Sequence, residues 1–374
     1  MPYRRPAWVE IDSSAITHNV RTLKALTPQA TRFIAVVKAD GYGHGAVTVA
    51  HAALAGGAER LGVATVDEAL ALRAAGIRAP VLVLAEPPTD SADMLVREGI
   101  TVTVTSRAMA TALSHAAAAA GGQALCHLKV DTGMHRIGVR AEEAGDFAQW
   151  LKALPGVSVE GVFTHFATAD VPGDWEFDRQ VTRFRHAVDE VRGAGLRPAV
   201  VHAANSAATM LHPETHLDMV RCGIAIYGLE AAPSTRGIVD LRPAMSVRAR
   251  VSFVKRIGLG DGVSYGLTWH ASGPTTIATL PLGYADGVHR VLSNSMEILI
   301  GGRRCRQVGR ICMDQLMVEV PGGLDVRPGD EAVLVGEQGS ESIPMRELAE
   351  RAGTIDYELA CGFALRMERR TPSA

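Results

Sequence analysis

The sequence of 374 residues is poor in cysteine and has no cysteine pattern that stabilises a fold. Its five thiols are odd in number, widely spaced and without a C-x-x-C pair: Cys126, Cys222, Cys305, Cys312 and Cys361. The 13 histidines show no zinc signature of the metalloprotease kind. We therefore expect neither a disulfide framework nor a metal site, and we expect the reduced thiols of a cytosolic protein.

The sequence also lacks a charge excess, a membrane-spanning run and an export signal. A formal net charge of −2 and a pI near 6.7 give no basic surface for nucleic acid or for an anionic membrane. No apolar stretch reaches transmembrane length, and the basic start, residues 1–6, is not followed by an apolar signal core. We expect a cytoplasmic protein with a small-molecule substrate and with no nucleic-acid or membrane partner.

What is present is a hydrophobic fraction of 47%, enough to fill one large domain and a smaller one. Through the first two thirds of the chain, short β-type runs alternate with amphipathic helical runs. The predicted strands span residues 33–37, 61–64, 81–84, 101–104, 125–130, 159–163, 200–202 and 217–221. Predicted helices between them include residues 66–75, 106–120, 141–153 and 174–194.

This alternation predicts an α/β protein with an N-terminal (β/α)8 barrel of the TIM type at residues 12–237, rather than an open doubly wound sheet. After about residue 237 the pattern changes to a mainly β domain, residues 238–374. Its predicted strands span residues 247–254, 275–280, 296–300, 315–320 and 331–335, and only residues 345–352 have a helical pattern. A strand-like segment within residues 1–11 precedes the barrel, and we expect it to pack with the β domain.

The most informative segment is Ala-Val-Val-Lys-Ala-Asp-Gly-Tyr-Gly-His-Gly at residues 35–45. In this segment a predicted buried strand leads to Lys38, which is followed by a turn that contains three glycines. A lysine at the mouth of a buried strand is costly to desolvate, so its pKa is expected to fall, and such an amine forms a Schiff base with an aldehyde. The glycines allow a close approach to a bulky anion, and Tyr42 offers a hydroxyl. The alternative is a lysine that extends to solvent before an ordinary turn.

Polar groups also follow the predicted strands at the barrel end where chemistry occurs in this fold. Besides Lys38 they are Lys129, Asp131, Arg136, His165, His202, Asn205, Ser206 and Arg221. The backbone N–H groups after Asn205 and at Gly223-Ile224 suit a phosphate. Each residue alone could have a purely structural role. A Schiff-base lysine combined with a phosphate cradle implies pyridoxal 5'-phosphate.

On these residues the chain resembles the alanine racemases, fold type III enzymes that depend on pyridoxal 5'-phosphate. Residues 35–45 are similar to the cofactor-binding signature of that family. Other matching segments follow in order across both predicted domains: residues 128–138, 164–170, 202–208, 221–228, 263–266, 282–287 and 308–315. The resemblance implies interconversion of L-alanine and D-alanine, D-alanine supply for cell-wall peptidoglycan, and a homodimer with shared active sites.

The resemblance also implies a role for each matching residue. Lys38 forms the internal aldimine and acts as one base, and Tyr265 of a second subunit acts as the other base from the opposite face. Arg221 faces the pyridine nitrogen, and His165 lies between it and Tyr265. The phosphate contacts are Tyr42, Ser206, Gly223, Ile224 and Tyr357, with Asn205 also beside the cofactor. The substrate carboxylate is held by Arg136 and Met313, and the supporting residues are Lys129, His202, Tyr284, Arg310 and Asp314.

Two of these positions have consequences for reactivity. Arg221 only donates hydrogen bonds and keeps its proton, so it should not protonate the pyridine nitrogen of the cofactor. The cofactor ring then withdraws electrons less strongly, which limits transamination. Lys129 stands where the family has a carbamylated lysine that would steady Arg136. The chain departs from the family pattern at Cys222, at Asp356 and in the tail at residues 364–369, which bears on Tyr357 and on local dimer contacts.

Several alternatives stay open. A related racemase could act on serine or on a basic amino acid, because substrate choice among small side chains rests on about 1–3 kcal/mol. A decarboxylase on the related fold is disfavoured by Arg221. A non-catalytic cofactor-binding barrel is disfavoured by the second domain, and a barrel enzyme without the cofactor would be colourless.

Overall fold

The protein is described by a computed structural model, which covers residues 5–363 and 366–372. The chain divides into two compact units. The first, called the barrel unit here, comprises residues 14–41 and 46–242, and the second, called the β unit, comprises residues 1–13, 42–45 and 243–374. The first four residues, Ala364 and Leu365 of the atypical tail, and the last two residues lie outside the described residues.

The strands are numbered along the chain, and β1 (Ala7–Ile11) belongs to the β unit. In the barrel unit, all of which is described, eight parallel strands form a closed barrel because β10 pairs with β2 and β5 pairs with β6. These strands are β2 (Arg32–Val36), β3 (Arg60–Val63), β4 (Val81–Val83), β5 (Thr101–Val104), β6 (Ala124–Asp131), β8 (Val157–Phe163), β9 (Val200–His202) and β10 (Met219–Cys222). The short β7 (Val139–Arg140) pairs with the end of β6. The predicted barrel is confirmed.

Helices connect the barrel strands, and their sequences contain clear start signals. Thr65 and Glu68 form a capping box at one helix start, and the Ser106 hydroxyl accepts the N–H of Met109 at another. The helices of this part of the chain are Ser13–Ala25, Ala46–Ala55, Val66–Ala74, Ala92–Arg97, Arg107–Ala120, Ala144–Lys152, Trp175–Gly193 and Ser206–Leu211. Among the described residues, no helix combines the length and the apolar character that crossing a bilayer requires.

The described part of the β unit contains two main sheets. In the larger sheet, β1 lies between an antiparallel neighbour, β11, and a parallel neighbour, β19. Its other strands are β11 (Met245–Arg250), β14 (Glu297–Ile300), β15 (Arg303–Arg306), β17 (Glu331–Gln338), β18 (Glu341–Ile343) and β19 (Glu368–Arg370). The smaller sheet has the order β12–β13–β16, formed by β12 (Phe253–Ile257), β13 (Thr275–Leu280) and β16 (Leu316–Val320).

One strand prediction for the β unit is wrong, and one helix was not predicted. The single strand predicted at residues 247–254 is two strands, β11 and β12, which belong to different sheets. The helix Met345–Ala352 is followed by a second one, Asp356–Gly362. Gly353 ends the first in the left-handed conformation, at a φ of 69°, and the chain restarts a helix three residues later. The strand prediction joined two elements in one apolar run, whereas the helix predicted at residues 345–352 is confirmed and only the second helix was not predicted.

Candidate active site

Lys38 lies two residues after the end of β2 and is half-buried. The next three residues, Ala39, Asp40 and Gly41, have positive φ angles of 52°, 50° and 61°. Left-handed backbone at non-glycine residues is unfavourable and needs support from its surroundings. The support is a Glu68 carboxylate that accepts the N–H of Ala39 at 2.6 Å, together with a bond from the N–H of Gly41 to the carbonyl of residue 37 at 2.9 Å. The predicted tight turn after the lysine is thus a strained, anchored one.

Arg221, in β10, is 3% exposed and is surrounded by acceptors. Its Nη2 donates to the carbonyls of Thr164 at 2.7 Å and Ala203 at 2.8 Å, and lies 3.3 Å from Nδ1 of His165. Its Nη1 donates to Nδ1 of His202 at 3.0 Å. None of the ion pairs among the described residues involves Arg221. Burial lowers the pKa of Arg221 to about 9, so it remains a cation at neutral pH.

Lys129 is 5% exposed and shares this environment with three other cations. Burial, and after it repulsion from Arg221, Arg136 and Lys38, lowers the pKa of Lys129 to about 7, although Asp131 opposes the shift. Burial and the same cations hold the pKa of His165 well below its usual value. The structure therefore brings Lys38, Lys129, Arg136 and Arg221 to one end of the barrel, as predicted from the strand ends.

The loop that carries Arg136 is organised by Asp131 at the end of β6. Its Oδ1 accepts the N–H groups of Gly133 at 3.1 Å and His135 at 3.0 Å, and Oδ2 lies 3.2 Å from Nδ1 of His135. Burial opposes ionisation of Asp131, but these donors hold its pKa below the usual value. The exposed Arg136 thus extends from a fixed loop.

The predicted phosphate residues of the barrel unit also come together. The hydroxyl of Ser206 accepts the N–H of Gly223 at 2.9 Å, and Ile224 begins the short 3-10 turn Ile224–Tyr227. Asn205 caps the helix Ser206–Leu211 through the N–H of Ala208 at 3.0 Å. Hydroxyl and N–H groups here provide the donors that a phosphate requires.

The β unit holds the remaining predicted residues. Tyr265 is 71% exposed, Met313 is 53% exposed, and both line one open concavity with Cys312 and Asp314. The Tyr284 N–H donates to the carbonyl of Cys312 at 3.0 Å, which joins those two segments.

Contacts within the β unit also fix the flanking predicted residues. The Ser264 hydroxyl donates to the Arg310 carbonyl at 2.6 Å, and Asp314 pairs with Arg366 at 2.8 Å. Tyr42 and Tyr357 approach each other with ring centroids 6.2 Å apart. Both tyrosines belong to the β unit.

Sequence analysis missed three polar residues connected to Arg221 through His202: the buried His127 and Arg60, and the half-buried Glu160. His127 contacts His202 at 2.8 Å and Glu160 at 3.3 Å, and Arg60 donates to Glu160 at 2.8 Å. The available signal was the alternation of His127, Lys129 and Asp131 along one face of an otherwise apolar strand. Among the described residues, no cluster of three or more His, Cys, Asp or Glu side chains could hold a metal ion.

Comparison with known proteins identifies the family. The model of the alanine racemase N-terminal domain matches residues 11–231, and the model of the alanine racemase C-terminal domain matches residues 244–371. The chain belongs to the alanine racemase family. This family depends on pyridoxal 5'-phosphate and consists of amino-acid racemases, as the resemblance implied.

Individual alanine racemases match over nearly the whole chain. The enzyme of Symbiobacterium thermophilum is 50% identical over 365 residues, which cover 98% of this chain and 97% of the relative. The structure of the alanine racemase of Streptomyces lavendulae is 37% identical and covers 100% of this chain and 98% of its own, with a TM-score of 0.94. The structure of the alanine racemase of Bacillus anthracis, described with bound L-Ala-P, is 38% identical. It covers 100% of this chain and 96% of its own, with a TM-score of 0.93.

Proposed function

We propose that this protein is an alanine racemase that interconverts L-alanine and D-alanine with pyridoxal 5'-phosphate, and that it supplies D-alanine for cell-wall peptidoglycan. The observation that carries the proposal is a group of four cations at the strand ends of the barrel, which consists of the buried Arg221 together with Lys38, Lys129 and Arg136. Burial, and after it repulsion from the other three cations, lowers the pKa of Lys129. Such a group needs anions to neutralise it, and a phosphorylated cofactor and an amino-acid carboxylate provide them.

The chemistry of these donors fits the cofactor. When bound, pyridoxal 5'-phosphate withdraws electrons and so acidifies the Cα–H of an amino acid. In the proposal Lys38 holds the cofactor covalently, and Ser206, Gly223 and Ile224 hold its phosphate together with Tyr42 and Tyr357. Asn205 orders the helix start beside Ser206.

Arg221 is proposed to face the pyridine nitrogen. Because a guanidinium has only donors, it offers a hydrogen bond and keeps its proton. Its contacts with carbonyl groups and imidazole nitrogens hold it in place, and no described carboxylate pairs with it to compete for its charge. A donor of this kind favours proton return to Cα over the side reaction of transamination.

Arg136 and Met313 are proposed to hold the substrate carboxylate. As an ammonium, Lys129 is repelled by Arg221 and Arg136, which together with burial lowers its pKa and favours the neutral amine. A neutral amine reacts with carbon dioxide to form a carbamate, and a carbamate would attract the same two arginines. We therefore propose that Lys129 supports Arg136 in the carbamylated form.

Inversion requires a proton to leave one face of Cα and to arrive at the other. Lys38 and Tyr265 are proposed as the two bases, with Tyr265 provided by a second copy of the chain in a homodimer. The large exposed fraction of Tyr265 within its own chain supports this proposal. His165 accepts from Arg221 at Nδ1, which leaves its Nε2–H to donate to that phenol.

The test is chiral analysis of products after incubation of the purified protein with a panel of single-enantiomer amino acids that includes alanine, serine and lysine. We expect equal amounts of both alanine enantiomers at equilibrium and the highest kcat/KM for alanine. A preference for serine or lysine would change the substrate and keep the class of reaction. No inversion of any amino acid by the protein loaded with cofactor would refute the proposal.

A further inference from the structure

A series of hydrogen bonds leads from Arg221 through the barrel to a carboxylate. Nη1 of Arg221 donates to Nδ1 of His202 at 3.0 Å, and Nε2 of His202 lies 2.8 Å from Nδ1 of His127. Nε2 of His127 lies 3.3 Å from Oε2 of Glu160, which also accepts from Nη1 of Arg60 at 2.8 Å. These five side chains are called the buried series here. The barrel strands β3, β6, β8, β9 and β10 each contribute one member.

The positions of the protons along the buried series follow from its two ends. Arginine only donates, so Nδ1 of His202 accepts. Burial lowers the pKa of His127, and burial together with Arg221 holds the pKa of His202 well below its usual value, so both rings are neutral. A neutral imidazole has one donor and one acceptor. His202 therefore donates from Nε2 to His127, and His127 donates from Nε2 to Glu160.

The local strand pairing brings Glu160 to the imidazole. β6 and β8 pair with Cys126 opposite Val159 and His127 opposite Gly161, so the register skips Glu160. An extra residue of this kind redirects a side chain. A Cβ at Gly161 would lie 2.7 Å from Cε1 and Nδ1 of His127, so the glycine leaves the space that the ring occupies. The bulge thus places the Glu160 carboxylate beside His127, and the adjacent Gly161 leaves space for the His127 ring.

We propose that Glu160 is a positioning residue for the reaction, acting through His127 and His202 to keep the proton of His202 on Nε2, so that the Nδ1 facing Arg221 is an acceptor. The inference rests on the proposed function, in which Arg221 faces the cofactor's pyridine nitrogen. The hydrogen bond from His127 and the bonds from Arg60 hold the pKa of Glu160 at about 2, so it is a carboxylate throughout the working range. If His202 carried its proton on Nδ1, two donors would face each other, and Arg221 would lose this support.

Glu160→Leu removes the acceptor that fixes the order of the protons. Without it neither order is satisfied at both ends: His127 protonated at Nε2 has a buried donor with no partner, and His202 protonated at Nδ1 faces Arg221 with a second donor. Both orders are therefore populated. In Glu160→Gln, an amide oxygen at the position of Oε2 still accepts from both Nε2 of His127 and Nη1 of Arg60, so the wild-type order is kept.

The first measurement is ¹⁵N NMR of imidazole-labelled protein as purified with its cofactor, with the two rings assigned by single histidine variants. In the wild type we expect both His127 and His202 to be protonated at Nε2 alone. In Glu160→Leu we expect part of the population of at least one ring to carry its proton on Nδ1, and in Glu160→Gln we expect the wild-type pattern. A wild-type His202 protonated at Nδ1, or unchanged rings in Glu160→Leu, would overturn the inference. The wild-type result decides this even if the variant does not fold.

The second measurement is the partition between racemisation and transamination. In transamination the amino group of alanine passes to the cofactor, so that alanine is oxidised to pyruvate and the cofactor aldehyde is reduced to the amine. We expect Glu160→Leu to raise pyruvate formed per inversion about tenfold, as the loss of one hydrogen bond permits. An unchanged ratio would contradict the positioning role, whatever the variant's stability.

Two further variants separate proton order from general damage. Glu59→Leu makes the same change next to Arg60, in a carboxylate that accepts the N–H of Phe33 at 2.8 Å, outside the buried series; we expect the wild-type ratio. Glu160→Gln keeps an acceptor oxygen for His127, and we expect a ratio near that of wild type. A ratio in Glu160→Gln as high as in Glu160→Leu would count against the proposal. Wild-type protein with the expected tautomers but without racemisation would refute the proposed function, not the proton order.

Discussion

The ammonium of Lys129 lies 5.3 Å from the ring centroid of Phe163, and the guanidinium carbon of Arg221 lies 5.3 Å from the same centroid. The ring of His202 also stacks on Phe163, with centroids 4.8 Å apart and an interplanar angle of 7°. A cation near an aromatic face is attracted by the ring quadrupole, most strongly when water is excluded. Phe163 therefore supports two cations that would otherwise be buried without a compensating charge.

Phe163→Leu should remove the interaction of the aromatic ring with Lys129 and Arg221, while the side chain stays apolar. We expect the free energy of unfolding to fall by roughly 1–2 kcal/mol more than in Phe33→Leu, which alters a fully buried phenylalanine of β2. Urea denaturation of both variants against wild type measures the difference. Equal losses would show that packing alone explains the role of Phe163.

Gly161→Ala should displace His127 from the buried series, because the new methyl group would lie 2.7 Å from the ring. Overpacking of this kind costs about 1–3 kcal/mol of stability. Gly193→Ala is the matched control, because a Cβ at that helix position meets nothing within 4 Å and alanine favours a helix by about 1 kcal/mol. Thermal unfolding should move down in the first variant and slightly up in the second; a tolerated Gly161→Ala would contradict the tight contact.

Lys38→Ala should abolish the yellow absorbance of the covalently bound cofactor and reduce racemisation by at least about 10³-fold, since nucleophile and base are lost together. Borohydride should fix the cofactor to wild-type protein and not to the variant. Lys24→Ala, at a half-buried lysine paired with Glu59 in the same unit, controls for loss of a lysine. A variant at position 38 that keeps the wild-type spectrum would refute the assignment.

Tyr265→Phe should leave the cofactor bound and reduce inversion by about 10²–10⁴-fold, the usual contribution of a positioned base. A phenol has a pKa near 10, so its use as a base at neutral pH needs the nearby cations. In deuterated water the variant should still exchange the α-proton of one alanine enantiomer and not of the other, because only Lys38 remains. Exchange of both enantiomers at the wild-type rate would contradict the two-base proposal.

The barrel was predictable because strands buried on both faces appear as continuous apolar runs, as at residues 33–37 and 101–104. The polar residues at the strand ends were predictable for the same reason, since Lys38 and Arg221 interrupt such runs. The β unit was harder, because β11 and β12 lie in different sheets although only Val251 and Ser252 separate them.

The buried series was not predictable from the local pattern. By simple alternation along β8, Glu160 belongs to the face opposite Gly161 and Phe163, and only the bulge brings it to His127. A single histidine in an apolar strand also resembles an ordinary core residue. The order of protons along the series depends on Arg221 and Arg60 at its two ends, which are 161 positions apart in the chain, so only the three-dimensional arrangement reveals it.

Lys129 should make the stability of the protein rise with pH above neutrality. Its pKa is about 7 in the folded state and about 10.5 in the unfolded state, so the unfolded chain binds more protons between those values. The folded state is therefore penalised below pH 7, and the penalty disappears as pH rises toward 10. The full shift corresponds to an upper bound on the order of 5 kcal/mol.

Lys129→Met should remove this slope, and the wild-type minus variant difference in free energy of unfolding should grow between pH 7 and pH 10 in buffer free of bicarbonate. Lys152→Met changes an exposed lysine at the end of the helix Ala144–Lys152. Its free energy of unfolding should have the same pH dependence as that of the wild type. Bicarbonate should abolish the wild-type slope if a carbamate forms, because the group then carries negative charge beside Arg136 and Arg221. Parallel curves for Lys129→Met and wild type in both buffers would show that Lys129 keeps its proton in the folded protein and cannot be the carbamylated support of Arg136.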